Sequence, residues 1–183
     1  MALYILVSVA VLVLLFLAIA ATRPAAFTCE RSLVIAAPPQ AIYPHIDNFH
    51  NWPAWSPYEK LDPNAKHTYS GPDSGVGASM SWSGTGKMGE GSTTIVATTP
   101  HQLIAIKLVM VRPFAATNDV QFILSPQPTG TKVTWHMAGR YNLIAKAMHM
   151  VIDMDKMVGK DFAEGLHLLK SVVESNPHQT VSS

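Results

Sequence analysis

The chain has 183 residues, 48% hydrophobic and 14% charged, with a formal net charge of +1. Once an apolar first segment is set aside, that length suits one domain with a real core and argues against a second. The near-neutral charge, without basic or acidic runs, excludes the electrostatic footprint of a nucleic-acid binder, and the single cysteine, Cys29, excludes an internal disulfide.

From Ala2 to Ala21 every residue is apolar or small, with Ser8 and Tyr4 the only hydroxyls. As a helix this run rises about 30 Å, the thickness of a bilayer's hydrocarbon core, so residues 1–22 are expected to form a membrane anchor. The rival reading is a signal peptide cleaved after Ala20, because Ala18-Ile19-Ala20 is a small-x-small site. Against it, the apolar run exceeds a usual signal core and no Lys or Arg precedes it. Arg23 and Arg31 follow the span, so the positive-inside tendency leans toward a cytoplasmic domain. Residues 23–26 form a short linker that keeps the domain close to the headgroups.

Phe27 to Ala36 is β-prone and reads as the first strand of a domain spanning 27–175. Pro38 and Pro39 open a helix to about Ile46, with Ile42 and Ile46 on one face. Pro44, Pro53 and Pro57 then limit Asp47–Tyr58 to short helical pieces, in which Trp52 and Trp55 need somewhere to bury their rings. After Pro63 the pattern is that of an antiparallel meander punctuated by Gly and Pro. Ala78, Met80 and Trp82 alternate with serines; Val120, Phe122 and Leu124 alternate with polar residues, as do Val133, Trp135 and Met137. Ile104, Ile106, Leu108 and Met110 are expected to face inward from the strand between them. Asn142–Ile152 is helix-prone. A final helix, capped by Asp153 or Asp155, carries Met157, Val158, Phe162, Leu166, Leu169, Val172 and Val173 and stops at Asn176-Pro177, leaving a disordered tail over 176–183.

Three segments, Arg31-Ser32-Leu33-Val34-Ile35 with Ala37-Pro38, Asn51-Trp52-Pro53-Ala54-Trp55-Ser56-Pro57-Tyr58, and Gly159-Lys160-Asp161-Phe162-Ala163-Glu164-Gly165-Leu166 with Leu169-Lys170, carry a resemblance. The chain resembles the START-like polyketide cyclase/dehydrase superfamily, the SRPBCC group, and within it a membrane-tethered bacterial subgroup. The resemblance covers about Phe27–Glu174. It implies an α+β helix-grip fold, in which a curved antiparallel sheet wraps a long C-terminal helix, and it implies ligand binding in the space between them.

Chemical motifs are sparse. Gly84-Thr85-Gly86-Lys87-Met88-Gly89 matches a dinucleotide-binding glycine pattern, but the β-branched Ser92–Thr99 follows where that motif requires a helix, so a hairpin loop is expected. Gly71, Gly75 and Gly77 mark a second loop, and both loops are candidate gates. His45, Asp47 and His50 lack metal-ligand spacing; no metal and no cofactor are expected. His136 is expected to face outward and His149 to be structural. Cys29 has no neighbouring base in sequence, and no Gly-x-Ser-x-Gly elbow is present, so no catalytic residue is assigned. A general acid or base would have to come from His67, Tyr69 or Asp161.

The inward set expected to line a ligand cavity is Met80, Trp82, Ile106, Leu108, Phe122, Trp135 and Met137 from the sheet, with Met157, Phe162 and Leu166 from the helix. The expected function is membrane-tethered binding of an apolar small molecule or lipid. Two alternatives stay open: a cyclase, dehydratase or hydrolase using the same cavity, which His67 and Tyr69 converging inside would favour, and a tethered protein-interaction module with a solid core. Oligomeric state is left open.

Overall fold

The computed structural model describes residues 1–86, 88–141, 143–149 and 154–175. Helix α1, Ala2–Thr22, is followed after three residues by strand β1, Ala26–Ile35, and then by helix α2, Pro39–Asp47. Two 3-10 helices, Phe49–Ala54 and Pro57–Lys60, lead into the remaining strands: β2 Lys66–Ser70, β3 Ser79–Ser83, β4 Glu90–Thr99, β5 Leu103–Arg112, β6 Ala116–Gln127 and β7 Gly130–Arg140. Helices α3, Leu143–His149, and α4, Met154–Ser175, complete the described chain. The strands form one seven-stranded antiparallel sheet in the order β1-β7-β6-β5-β4-β3-β2. Helix α4 packs along it, chiefly over β1. This is the expected α+β helix-grip fold.

Proline spacing sets the pieces between β1 and β2. Pro39 supplies the fixed φ of a first helical position, and α2 lasts only 9 residues. Its last carbonyls would be orphaned at a buried helix end. The two tryptophans satisfy them: the Trp52 indole donates to Ile46 O at 3.0 Å and the Trp55 indole to His45 O at 2.8 Å. Those bonds turn both rings onto the sheet, where Trp52 and Trp55 find the burial their rings need.

Glycines on α4 let it approach closely. A Cβ on Gly165 would lie 2.7 Å from the Trp135 ring and 3.0 Å from Pro57, and one on Gly159 would lie 2.0 Å from the Arg31 guanidinium. Arg31 in turn donates to the Asp155 carboxylate at 3.2 Å. At the far end Lys170 donates to Val34 O, and the Glu174 carboxylate accepts from Ala36 N at 2.7 Å. Asp155 therefore sits in the first turn of α4, tied to the sheet, rather than acting as its cap. The stretch joining α3 to α4, 150–153 with Asp153 in it, the side chain of His149 and the tail from 176 lie outside the described residues.

Helix α1 stands off the domain. Its residues from Met1 to Phe16 are exposed and only Ala20 is buried. The junction is fixed at its other end: Lys146 of α3 donates to Ala21 O, Tyr141 N donates to Ala25 O, and the Tyr141 ring stacks on Phe27 at 4.4 Å.

Candidate ligand-binding groove

Residues opposite one another in an antiparallel pair project to the same face, so the registers divide the concave side into rows. Ile104, Phe122, Trp135 and Arg31 form one row; Ile95, Ile106, Val120, Met137 and Cys29 the next. Met80, Thr93, Leu108, Asn118, Gly139 and Phe27 follow, and Trp82, Gly91 and Met110 come last. The apolar side chains of the first two rows are buried. In the last two, Leu108, Phe27, Trp82 and Met110 are half-buried. Met80, Thr93 and Asn118 of the third row are still buried, so partial exposure of side chains is confined to Leu108 and Phe27 in that row and to Trp82 and Met110 in the last, toward the end of the sheet at which β1 begins.

The buried end is filled with rings. Phe162 of α4 stacks on Trp135 at 4.2 Å and 8°, Trp135 lies 4.8 Å from Phe122 and 5.7 Å from Trp55, and Trp52 meets Phe122 edge-on at 6.1 Å. Of the expected lining, Ile106, Phe122, Trp135, Phe162 and Leu166 are at most 3% exposed and belong to this core, with Met80 and Met137 at its margin. Trp82 and Leu108 are only half-buried. Met157 does not face the sheet at all: it is 51% exposed. The buried stripe of α4 is Phe162, Leu166, Leu169 and Val173, and Met157 lies five residues before Phe162, about 140° round a helix of 3.6 residues per turn. Val158, four residues before it, is the half-buried position.

Two inner-face glycines shape these last two rows. A Cβ on Gly91 would lie 2.5 Å from the Trp82 ring, so the indole lies flat across the sheet, its Nε1 donating to Met88 O at 3.2 Å. A Cβ on Gly139 would lie 2.1 Å from the Asn118 amide oxygen. That oxygen is buried and has no hydrogen-bond partner among the described residues. Leu108 lies directly opposite Asn118, and Phe27 lies beyond Gly139 in the same row. A buried acceptor without a donor is costly unless something else supplies one.

The 3-10 helix Pro57–Lys60 clips the free edge of the sheet to α4. Glu59 faces His67 of β2 at 3.6 Å with both side chains under one-fifth exposed, and Lys60 faces Glu164 of α4 at 3.6 Å. Tyr58 between them points inward, and its phenol is held well above the ordinary range by burial, with the nearby Asp161 charge adding to the effect. His67 and Tyr69 share the concave face opposite Trp82 and Met80. They do not converge, because the Tyr69 ring stacks on His50 at 4.0 Å while His67 takes Glu59. Burial also raises the Tyr69 phenol.

A separate solvent-open cleft of about 260 Å³ lies between His50, Tyr69, Asp73 and Ser79; none of the expected lining residues borders it. Cys29 is 3% exposed, and burial, reinforced by Asp155, pushes its thiol up to about 11, which keeps it protonated and poorly nucleophilic at neutral pH. Among the described residues, no three His, Cys, Asp or Glu side chains are placed to hold a metal ion. The Gly84–Gly89 segment joins β3 to β4, as a hairpin loop does, and Thr85 in it is held by the Asp62 carboxylate.

The family described as polyketide cyclase/dehydrase and lipid transport matches residues 26–174. The chain belongs to this family. That description and the fold point to hydrophobic ligand binding or a polyketide cyclase-like role. Among solved structures, protein CV1439 from Chromobacterium violaceum aligns at 15% identity and a TM-score of 0.58 over 80% of this chain and 96% of its own. The Aha1 dimer from Colwellia psychrerythraea aligns at 15% identity and 0.57, over 81% and 96%. The di-domain ARO/CYC StfQ from the steffimycin biosynthetic pathway aligns at 10% identity and 0.61, over 84% of this chain and 52% of its own. At these identities the likeness is one of fold. No curated protein matches the sequence.

Within the family fold, sequence reasoning missed Asn118 and the Tyr58–Glu59–His67 group. Asn118 occupies an inward position on β6, two residues before Val120, so alternation alone would have found it. The Glu59–His67 pair carried no local signal, since it joins a 3-10 helix to a strand that only tertiary packing brings together.

Proposed function

We propose that the protein binds an apolar small molecule or lipid in the open half of this groove, held at a membrane by α1 as an uncleaved anchor. The observation that carries the reading is the unpartnered Asn118 oxygen set beside Leu108 and Phe27, with Trp82 and Met110 half-buried in the next row. The apolar walls desolvate the ligand, at roughly 2.5 kcal/mol per 100 Å² of apolar surface removed from water. The Asn118 acceptor orients a hydroxyl or amide donor on it. Helix α1, with 21 residues and no charged side chain, is long and apolar enough to cross a bilayer.

The test is solvent extraction and mass spectrometry of the full-length chain purified in detergent, followed by titration with fluorescent lipid and fatty-acid analogues. A stoichiometric apolar molecule is expected. Trp82→Ala is expected to weaken analogue binding by more than tenfold, and Asn118→Leu, which keeps the wall apolar, by about fivefold, the equivalent of one lost hydrogen bond of about 1 kcal/mol. An empty wild-type protein that takes up no analogue would sink the reading. The Tyr58, Glu59 and His67 group supports a second reading, cyclase- or dehydratase-type chemistry in the same groove; recovery of the bound molecule chemically changed after incubation would favour it.

A further inference from the structure

The end of the sheet at which the groove opens is also the end from which α1 leaves. Only Arg23–Ala25 separate α1 from β1, a reach of about 10 Å. Register fixes the level of the neighbouring hairpin: Phe27 lies opposite Gly139, which lies opposite Asn118. Two residues back along β6, Ala116 is therefore level with Ala25, and Phe114 lies in the β5–β6 turn beyond Ala116, at most about 7 Å further along. Two strand spacings, about 10 Å, separate β1 from β6. Phe114 thus lies at the end of the sheet from which the anchor leaves, two strands from β1.

Phe114 is 56% exposed, and three more apolar side chains are exposed at the same end: Val111 at 53%, Leu143 at 47% and Leu61 at 46%. At the opposite end, among the described residues, the loops expose only Val76 as a large apolar side chain. Arg23 and Arg140 are exposed beside the rim. Acids near it are engaged: Glu90 by Arg112, Asp155 by Arg31 and Asp62 by Thr85. An apolar ring flanked by cations at the foot of a membrane span matches the headgroup region of an anionic bilayer, which takes up apolar side chains and attracts basic ones.

We infer that Leu61, Val111, Phe114 and Leu143 form a membrane-docking rim that seats the groove's mouth in the lipid headgroups. The inference rests on the anchor reading of α1 and adds an orientation to it: the mouth faces the bilayer instead of the solvent. A lipid would then pass from membrane to groove between Trp82, Met110 and the rim without crossing bulk water.

The test uses the full-length chain in vesicles of phosphatidylcholine and phosphatidylglycerol carrying a headgroup spin label. An environment-sensitive fluorophore is attached through Phe114→Cys, with Thr129→Cys in the opposite β6–β7 turn as the reference; buried Cys29 stays unlabelled at neutral pH. The label at 114 is expected to shift to the blue and to be quenched by the spin label several-fold more than the label at 129. Vesicle flotation separates the two ideas. A chain that floats with vesicles while 114 and 129 are quenched alike keeps the anchor and overturns the docking rim. A chain that does not float overturns both. A label at 114 shielded from aqueous iodide yet untouched by the lipid quencher would mean that a second copy of the chain covers the rim, which also overturns it.

Discussion

Cys29 and Asn118 show how burial on the same concave face gives two polar side chains opposite roles. The Cys29 thiol is shielded by β7 and α4 and stays neutral, its pKa raised from 9.0 to about 11 by burial first and Asp155 second. A raised thiol pKa means that the folded state holds the proton longer than the unfolded one, so the stability this provides is complete below pH 9.0 and declines as pH climbs toward about 11. The decline is at most about 1.4 kcal/mol per pH unit. Urea midpoints of wild type should fall more steeply over that window than those of Cys29→Val; equal slopes would remove Cys29 from the account. Asn118, two rows nearer than Trp135 to the end where β1 begins, instead keeps an acceptor that nothing among the described residues satisfies. Its inward position is readable from alternation along β6, whereas its lack of a partner depends on Gly139 and Phe27, which other strands contribute.

At the scale of elements, the 3-10 helix Pro57–Lys60 links the edge strand β2 to α4. It offers three consecutive side chains to three places: Tyr58 to the interior, Glu59 to β2 and Lys60 to α4. The Glu59–His67 pair is mostly shielded from solvent, while Lys60 and Glu164 are 62% and 48% exposed and so are screened. Glu59→Gln is therefore expected to cost about 1 kcal/mol of stability and Lys60→Met close to nothing. Chemical denaturation of the two variants checks the order; equal costs would mean that the clip is held by packing alone. The phase of α4 is the element-level feature that sequence reading misjudged. Its apolar run starts at Met157, but the stripe that packs is set by Phe162 stacking on Trp135, and that register turns Val158 inward and Met157 out. Periodicity locates an amphipathic face only to within a side chain at the end of a helix, where one more apolar residue fits the pattern as well.

For the whole molecule, the division of labour between α1 and the domain is the testable property. Helix α1 touches the domain at its last turn, through Ala20 and the Lys146 bond to Ala21 O. Removal of residues 1–22 should therefore shift domain stability by less than about 1 kcal/mol, in the range of surface changes, while abolishing membrane association. Thermal unfolding and vesicle flotation of the two forms measure both effects; a large loss of stability would make α1 a structural part of the fold. The mass of the protein recovered from membranes distinguishes anchor from signal peptide, since cleavage after Ala20 would leave a shorter, soluble chain.

Several features follow from the sequence alone because their cause is local. An uninterrupted apolar run yields α1, alternation of apolar and polar residues yields the inner and outer faces of β3, β6 and β7, and proline spacing yields the short pieces that carry Trp52 and Trp55. The order of these elements, with the three segments of family resemblance, was enough for the helix-grip fold. Which inward residues are fully buried and which stay partly exposed was decided only by the tertiary structure. Phe122 and Trp82 are indistinguishable as aromatic residues at inward strand positions, yet Phe122 is covered by Trp52, Trp55 and Trp135 and fully buried, whereas Trp82 stays partly exposed. The cover comes from residues tens of positions away, and burial is a property of what lies on top of a side chain rather than of the side chain itself. The same holds for the end of the sheet from which α1 leaves: the neighbours it has there are a consequence of strand order and register, which no single segment encodes.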